Sequence, residues 1–312
     1  MLDKFNREVD YLRISVTDLC NLRCFYCMHK DGVSKLTHES IMSPERIKEI
    51  VYEASKLGIK KVRITGGEPL VRKGIIEIIS YIHEIPMIKE ICLTTNGTLL
   101  KEFAYKLKEA GVNRLNISLD TLKEDKYAKI TRLGKLSDAL EGIKIAKDLD
   151  FKIKINTVLI GGFNDDEILD FVKFAKDNEL TLRFIELMPI GVSKELDKQS
   201  FISNQIVLDR CQELTFDHND GVSDVYRIGN SNGYIGLISP LSKSFCKKCS
   251  RLRLTADGKL RPCLHSSLSL DTFGLVGEKL KERIKEAILL KPKEHHLNIG
   301  SDSDKNMNEI GG

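Results

Sequence analysis

The sequence predicts an α/β fold of alternating strands and helices, followed by a smaller C-terminal extension. Six short apolar runs of strand type occur between residues 11 and 187, each followed by a longer stretch of helical period. This rhythm stops after about residue 190, where cysteines and short strand-like runs appear. Alternating strands and helices imply parallel strands joined by right-handed crossovers. Six such units form either a doubly wound sheet or an incomplete (β/α)6 barrel of the TIM type.

The six predicted strands are short and rich in Ile, Val and Leu. They cover residues 12–16, 61–65, 90–94, 114–118, 152–156 and 182–186. The first helix begins at Ser43-Pro44, because a capping hydroxyl and a proline in the first turn favour a helix start, and it ends at Gly58. Four further helices are predicted near residues 74–83, 99–110, 136–149 and 166–178.

Polar or glycine-rich segments follow four of these strands. They are residues 65–69, 94–97, 118–120 and 186–189. In parallel α/β folds, ligands bind at the carboxyl ends of the strands. We therefore expect these four segments to lie together at one site.

The chain after residue 190 predicts a different structure. A helix is expected near 203–214, then two short strand-like runs, a hairpin over 251–264 that turns at Asp257-Gly258, and a helix over 280–290. The polar tail beyond Pro292 is expected to be loosely ordered, and His295-His296 to be solvated.

Composition argues against nucleic-acid and membrane binding. The chain has 49 Lys and Arg against 45 Asp and Glu, and a net charge of +4 is too small for a nucleic-acid-binding surface. No stretch approaches the roughly 20 apolar residues that span a bilayer, and the N-terminus lacks the apolar core of a signal peptide. We expect a cytoplasmic protein.

Eight cysteines without an export signal favour metal binding or catalysis over disulfides, because the cytosol keeps thiols reduced. Six of them form two compact groups: Cys20, Cys24, Cys27 and Cys246, Cys249, Cys263. The other two, Cys92 and Cys211, lie in apolar patterns and are predicted to be buried packing residues.

The first cysteine group has the pattern Cys-x3-Cys-x2-Cys in the loop after the first strand. Thiolates are soft ligands for zinc or iron-sulfur clusters, and a cubane cluster needs four ligands. Three cysteines with no obvious fourth nearby would leave one iron free for chemistry. The alternative is a zinc site with a distant fourth ligand, such as His29 or His38.

This triad, with Tyr26 before its last cysteine and Gly66-Gly67-Glu68-Pro69 after the second strand, resembles the radical S-adenosylmethionine (SAM) enzymes. The resemblance implies a 4Fe-4S cluster on the three cysteines, whose free iron binds SAM for reductive cleavage to a 5′-deoxyadenosyl radical. It also implies that Tyr26, Gly67, Ser118 and Met188 contact SAM. We predict the incomplete barrel over residues 1–220 and a second-cluster region over 221–312.

The second group has the pattern Cys-x2-Cys-x-Arg-x-Arg-x9-Cys. His265 would complete a Cys3His zinc site, so spacing alone leaves zinc and an iron-sulfur cluster open. Alternate residues of a strand share a face. Arg251 and Arg253 therefore project together, either toward phosphate or purine oxygens or as a solvated face.

The second pattern and the terminal Gly311-Gly312 resemble one branch of the superfamily, the GTP 3′,8-cyclases (molybdenum cofactor biosynthesis protein A family). The similarity runs from residues 10–18 through 184–191 to Gly312. It implies a second 4Fe-4S cluster whose open iron meets the guanine of GTP, and a catalytic role for Arg13, the first cysteine group and the two terminal glycines. The implied GTP contacts are Arg13, Arg63, Thr94, Lys154, Arg251 and Arg253, with Arg183 less securely placed.

The implied reaction converts GTP to (8S)-3′,8-cyclo-7,8-dihydroguanosine 5′-triphosphate, the first step of molybdenum cofactor biosynthesis. The radical removes the 3′ hydrogen of GTP. No G-x4-G-K-[ST] loop is present, so arginine and lysine must hold the phosphates. The implied partners are GTP, a reductant such as ferredoxin or flavodoxin, and the next enzyme, cyclic pyranopterin monophosphate synthase. The oligomeric state stays open, with a homodimer as one option.

Two other functions stay open at this point. A radical enzyme with an auxiliary cluster that modifies peptides predicts more cysteines in the C-terminal part and no converging basic set. A zinc or iron-sulfur module without catalysis leaves the strand-end loops and the barrel unexplained.

Overall fold

Twelve strands and eight α-helices form the regular structure of the computed structural model, which describes residues 1–33, 40–295 and 305–311. The strands are β1 Tyr11–Ser15, β2 Lys61–Thr65, β3 Glu90–Thr95, β4 Arg114–Ser118, β5 Lys152–Leu159, β6 Thr181–Glu186, β7 Leu214–Asn219, β8 Asp224–Ile228, β9 Tyr234–Ile238, β10 Arg251–Leu254, β11 Lys259–Arg261 and β12 Leu270–Asp271. The helices are α1 Pro44–Lys56, α2 Ile75–His83, α3 Leu100–Glu109, α4 Glu124–Thr131, α5 Leu136–Asp148, α6 Ile168–Asn178, α7 Gln205–Arg210 and α8 Gly277–Leu289.

All twelve strands belong to one sheet with the order β12-β11-β10-β1-β2-β3-β4-β5-β6-β9-β8-β7. Strands β1 to β6 are parallel neighbours in chain order. Strand β9 extends them in parallel beside β6, and β10 does the same beside β1. Over the described residues the end strands β12 and β7 are not paired with each other, so the barrel is incomplete, as predicted.

The core lies between this sheet and the helices. Helix α1 begins where the sequence predicts, because the Ser43 hydroxyl accepts a hydrogen bond from the backbone N–H of Arg46 at 3.2 Å. Farther along the chain, Phe171 of α6 packs edge-on against Phe184 of β6 with ring centroids 5.9 Å apart. Both rings are fully buried, and each contributes about 1.5–3 kcal/mol through burial.

The opposite face of the parallel strands lines the barrel interior and is polar. In β1, Leu12 and Ile14 are fully buried in the core, so the alternation directs Arg13 to the interior. Arg13 pairs in register with Arg63 of β2 and Arg253 of β10. Three guanidinium groups therefore lie on adjacent strands at one level of the barrel.

The main differences from the sequence prediction lie outside the six strands. Helix α4 was not predicted, and the helix expected over 203–214 ends at Arg210. It gives way to strand β7, whose Thr215 and Phe216 favour an extended backbone. No helix of the described chain is both long and apolar enough to cross a membrane.

The expectation of a loosely ordered tail is wrong for residues 305–311. Asn308 and Ile310 are each 2% exposed, and Ile310 packs against Ile190. Ile310 is an apolar residue in an otherwise polar tail, and it becomes buried because the barrel offers it an apolar contact.

Candidate functional site

The first cysteine group lies at the carboxyl end of the barrel strands, in a loop fixed by its neighbours. The backbone N–H of Gly67 donates to the Thr17 carbonyl, and that of Glu68 to the Leu19 carbonyl, each at 2.8 Å. A Cβ at Gly67 would lie 2.3 Å from the Leu19 oxygen. Glycine is required here because the backbone at residue 67 touches the backbone of the cysteine loop.

The Glu68 carboxylate connects this loop to the end of β3. It accepts hydrogen bonds from the Thr95 hydroxyl at 2.8 Å and from the backbone N–H of Asn96 at 2.7 Å. The Asn96 amide in turn donates to Asn21 Oδ1 at 2.8 Å, next to Cys20. Burial raises the pKa of Glu68 to about 7. The sequence identified this segment as a strand-end loop but not its glutamate as a support for the cysteines.

Helix α4 holds the same loop from the other side. The backbone N–H groups of Arg23 and Phe25 donate to the carbonyls of Thr131 and Ile130, at 2.9 and 3.1 Å. The Arg132 guanidinium donates to the Arg23 carbonyl at 3.1 Å. The cysteine loop is therefore preorganised by contacts on two sides.

The three cysteines of the first group are largely but not fully buried. Burial raises the pKa of Cys20 to about 11 and that of Cys27 to about 12, and it raises the pKa of Cys24 well above the ordinary value. Such thiols ionise only when a bound cation compensates their charge, as the irons of a cluster do. The donor set therefore fits a cluster. His29 is exposed, and His38 lies outside the described residues.

Tyr26 is oriented by an aspartate at the end of β4. Its hydroxyl donates to Asp120 Oδ2 at 2.8 Å, while Asp120 Oδ1 accepts from the backbone N–H of Val158 at 2.8 Å. Burial raises the pKa of Asp120 to about 6. The sequence flagged the segment 118–120 without assigning this role to the aspartate.

The other predicted SAM contacts also lie at carboxyl ends of strands. Gly67 follows β2 and Ser118 ends β4. Met188 follows β6, and its carbonyl accepts from the Ser193 hydroxyl at 2.6 Å. Their contact with SAM stays a prediction.

The second cysteine group lies at the opposite end of the barrel. Cys246 and Cys249 precede β10, which runs parallel to β1, and Cys263 follows the antiparallel β11. The five residues of β1 span roughly 16 Å. The two groups therefore face the barrel interior from its two ends.

A buried lysine lies beside the second group. Lys291 is 4% exposed, and its Nζ contacts Cys249 Sγ at 3.8 Å, the Arg251 carbonyl at 2.5 Å and the Pro262 carbonyl at 3.1 Å. Although burial raises the pKa of Cys249, the cations of Arg251 and Lys291 lower it to about 6. Cys249 is thus favoured as a thiolate, the form that binds metals.

The two histidines near this group lie together. The rings of His265 and His295 are 4.8 Å apart, and His295 hydrogen-bonds to Cys246 and lowers its pKa against the effect of burial. The expectation of a solvated His295 is therefore wrong, and His296 lies outside the described residues. In the described part of the chain, no three His, Cys, Asp or Glu side chains are grouped to hold a single metal ion.

The predicted GTP contacts line the interior between the two ends. Arg13, Arg63 and Arg253 are in register on adjacent strands, whereas Thr94 and Lys154 flank the same residue of β4. Burial and the neighbouring Arg251 lower the pKa of Arg253 to about 9; burial, Arg253 and Arg63 lower that of Arg13. Like charges this close in a buried site favour an anionic ligand.

Asp220 is a carboxylate that pairs with two cations of the barrel interior. It was not identified from the sequence. It forms ion pairs with Arg183 and with Lys154, the latter at 3.3 Å. It comes from the turn between β7 and β8, far along the chain from both cations.

The C-terminal segment enters the barrel. The Gly311 carbonyl accepts a hydrogen bond from Arg253 Nη1 at 2.6 Å, and the Asn308 amide donates to the Asp18 carbonyl at 3.1 Å. A Cβ at Gly311 would lie 2.5 Å from the Thr65 hydroxyl. Gly312 lies outside the described residues.

Comparisons with known proteins agree over the whole chain. Residues 14–175 match the family model of the radical SAM superfamily, and residues 180–297 match that of molybdenum cofactor synthesis C. The GTP 3′,8-cyclase of Alkaliphilus oremlandii is 48% identical over 320 residues, covering 100% of both chains. That of Peptoclostridium acidaminophilum is 48% identical over 319 residues, covering 100% of this chain and 98% of its own.

Two solved structures share the fold at low identity. Streptococcus suis SuiB bound to precursor peptide SuiA has a TM-score of 0.68 and 16% identity, covering 96% of this chain and 75% of its own. The protein anSMEcpe with bound AdoMet has a TM-score of 0.61 and 19% identity, covering 92% and 79%. At these identities the similarity shows the fold alone.

Proposed function

This chain belongs to the GTP 3′,8-cyclase family of the radical SAM superfamily, and from that premise we propose how its own residues divide the work of the reaction. The protein is an enzyme that converts GTP to (8S)-3′,8-cyclo-7,8-dihydroguanosine 5′-triphosphate in the first step of molybdenum cofactor biosynthesis. Its cofactors are 4Fe-4S clusters and SAM.

When bound, the first cluster and SAM supply the 5′-deoxyadenosyl radical that removes the 3′ hydrogen of GTP. Cys20, Cys24 and Cys27 hold that cluster in a loop that is already ordered by Glu68 and α4. Tyr26, Gly67, Ser118 and Met188 hold SAM at the carboxyl ends of the strands. Asp120 positions the Tyr26 ring by fixing its hydroxyl.

The observation that carries the GTP assignment is the register of Arg13, Arg63 and Arg253 between the two cysteine groups. These cations lie at one level of the interior and repel one another, so a bound triphosphate would offset their repulsion. Lys154 adds a further cation on β5, and the Gly311 carbonyl orients Arg253. Holding the nucleotide in a fixed position and excluding water is the contribution of these side chains.

At the other end, Cys246, Cys249 and Cys263 would hold the second cluster, which would supply a binding place for the guanine base. Arg251 shares the face of Arg253 and extends the cationic surface toward this end. In this arrangement the ribose lies between the base and the cofactor. Gly311 and Gly312 complete the site from the C-terminal segment.

The remaining parts of the proposal concern the electron donor, the enzyme that receives the product, the location of the protein and its two regions. The reductant is a low-potential electron carrier such as ferredoxin or flavodoxin, and the product passes to cyclic pyranopterin monophosphate synthase. The enzyme works in the cytoplasm, with the radical-generating barrel in residues 1–220 and the second-cluster region in 221–312.

The test is an anaerobic assay of the reconstituted enzyme with GTP, SAM and a reductant, with detection of the cyclised nucleotide and of 5′-deoxyadenosine. Iron analysis should give about eight irons per chain for two clusters. About four irons with one zinc would contradict the second-cluster assignment and favour the Cys3His site with His265.

Cys24→Ala should abolish 5′-deoxyadenosine formation, because the cluster loses one of its three thiolates. The matched control is Cys211→Ala, since Cys211 is also buried but lies in neither group. Continued 5′-deoxyadenosine formation by the Cys24 variant would refute the first-cluster assignment.

A further inference from the structure

Asn116 is a buried amide with no satisfied polar atom. It lies in the middle of β4 and is 0% exposed. Within residues 1–33, 40–295 and 305–311, neither its Oδ1 nor its Nδ2 has a hydrogen-bond partner. An unsatisfied buried polar group costs about 1–3 kcal/mol, and native proteins rarely keep one without a reason. The reason lies in what Asn116 faces.

Asn116 faces the barrel interior. Its chain neighbours Leu115 and Ile117 are fully buried in the apolar core, so the strand alternation directs Asn116 to the opposite side. In register, it lies between Thr94 of β3 and Lys154 of β5. Both neighbours are positions proposed above to contact GTP.

Asn116 also lies close to the SAM end. Ser118, proposed above to contact SAM, is two residues farther along the same face, which corresponds to roughly 7 Å. The side chain of Asn116 therefore lies at the level where the substrate and the cofactor meet. That level is also where the 3′ carbon of GTP must be held.

The surroundings of Asn116 are polar and combine one cation, Lys154, with hydroxyl and amide groups. Thr94 Oγ1 and Asn156 Oδ1, on the two neighbouring strands, are also buried without partners among the described residues. Phosphates are bound by Arg13, Arg63 and Arg253 across the interior. Hydroxyl and amide groups beside a lysine suit the ribose next to the phosphates, because they offer donors and acceptors but no charge of their own.

We infer that Asn116 binds the vicinal hydroxyl groups of the GTP ribose, accepting a hydrogen bond at Oδ1 and donating one from Nδ2. A primary amide presents an acceptor and a donor side by side, which matches two adjacent hydroxyls. This contact fixes the ribose and presents its 3′ carbon toward the SAM end. The inference rests on the proposed function, because it requires GTP in the barrel.

The test measures binding rather than turnover. The dissociation constants of GTP, 2′-deoxyGTP and 3′-deoxyGTP are measured anaerobically for the reconstituted enzyme and for Asn116→Ala, by calorimetry. Wild type should bind each deoxy analogue about five- to tenfold more weakly than GTP, the effect of one lost hydrogen bond. In Asn116→Ala the ratio of the dissociation constants of each analogue and GTP should fall toward one. The variant has already lost the contact that the missing hydroxyl would have made, so removing the hydroxyl costs nothing further.

The matched control is Asn113→Ala. Asn113 lies at the entry to β4, is exposed, and its Oδ1 accepts a hydrogen bond from the backbone N–H of Ile91 at 2.7 Å. This variant perturbs the same strand without touching the interior, so it should keep full discrimination. If Asn116→Ala does not fold, Asn116→Ser serves instead, and its discrimination should also be reduced.

Three outcomes separate the possibilities. Equal binding of GTP and both analogues by wild type would overturn the inference, because nothing then recognises the hydroxyls. Unchanged discrimination in the Asn116 variants would also overturn it and assign the amide to an ordered water. Absence of GTP binding by wild type would instead overturn the proposed function.

Discussion

The pH dependence of GTP binding tests the role of Lys154 directly. Lys154 lies on β5, and burial together with Arg183 lowers its pKa to about 8, although Asp220 opposes this at 3.3 Å. If Lys154 holds the triphosphate, binding favours its charged form. Above pH 8 the free enzyme has lost that proton, so GTP binding must take it up again.

The expected magnitude follows from this linkage. Below pH 8 the lysine is already charged and the affinity is constant. Above pH 8 the affinity falls by up to tenfold for each pH unit, or about 1.36 kcal/mol. Between pH 7 and pH 9 the dissociation constant should therefore rise about tenfold.

Two variants assign this behaviour to Lys154. Lys154→Arg should lose much less GTP affinity than wild type between pH 7 and 9, because arginine keeps its charge to a higher pH than lysine. Asp220→Asn removes the carboxylate that raises the pKa of Lys154. The GTP affinity of this variant should therefore begin to fall at a lower pH than that of wild type.

The assay is calorimetric titration of the anaerobic reconstituted proteins at pH 7, 8 and 9 and constant ionic strength. Inorganic triphosphate is titrated in parallel, because it lacks the guanine that can itself ionise in alkaline solution. A decline in Lys154→Arg equal to that of wild type would refute the reasoning. So would a wild-type affinity that is flat up to pH 9.

Three further predictions concern other parts of the site and its frame. Arg253→Lys should weaken GTP binding by tenfold or more without preventing 5′-deoxyadenosine formation, because lysine lacks the bidentate fork; equal affinity in titrations would contradict this. Lys291→Met should lower the reduction potential of the second cluster by removing a cation near its thiolate, with rescue by Lys291→Arg, as followed by EPR-monitored titration; an unchanged potential would contradict it. Asn204→Ala should cost about 1–3 kcal/mol of unfolding free energy, seen as a lower melting temperature, because the Asn204 amide donates to the buried carbonyls of Phe184 and Ile238 at 3.2 and 2.9 Å.

The sequence predicted the six barrel strands because each is a short apolar run, and β1 to β6 are neighbours in the sheet in the same order as in the chain. It predicted the start of α1 because Ser43 and Pro44 are local signals. Helix α4 was missed because Lys123, the residue before it, provides no side-chain cap, and because Arg132 follows it in a left-handed conformation, where glycine would have marked the end.

The residues that act on the site residues, such as Lys291 and Asp220, were harder to predict, because their partners are far away in the chain. Lys291 acts on Cys249 across 42 residues, and Asp220 acts on Arg183 across 37. Neither residue has a local pattern that distinguishes it from a solvated lysine or a turn aspartate. Asn116 lay in a predicted strand, but only the structure shows that its side-chain amide has no hydrogen-bond partner among the described residues.

The placement of β10 beside β1 has a consequence for how the protein is made. Strand β1 emerges from the ribosome first, whereas its partner β10 follows more than 230 residues later. Until then β1 is an edge strand with unpaired backbone groups, which favours association with other chains. The pairing of Arg13 with Arg253 can form only in this late step. A chain synthesised only as far as the first strands thus has Arg13 and Arg63 but lacks Arg251, Arg253 and the second cysteine group.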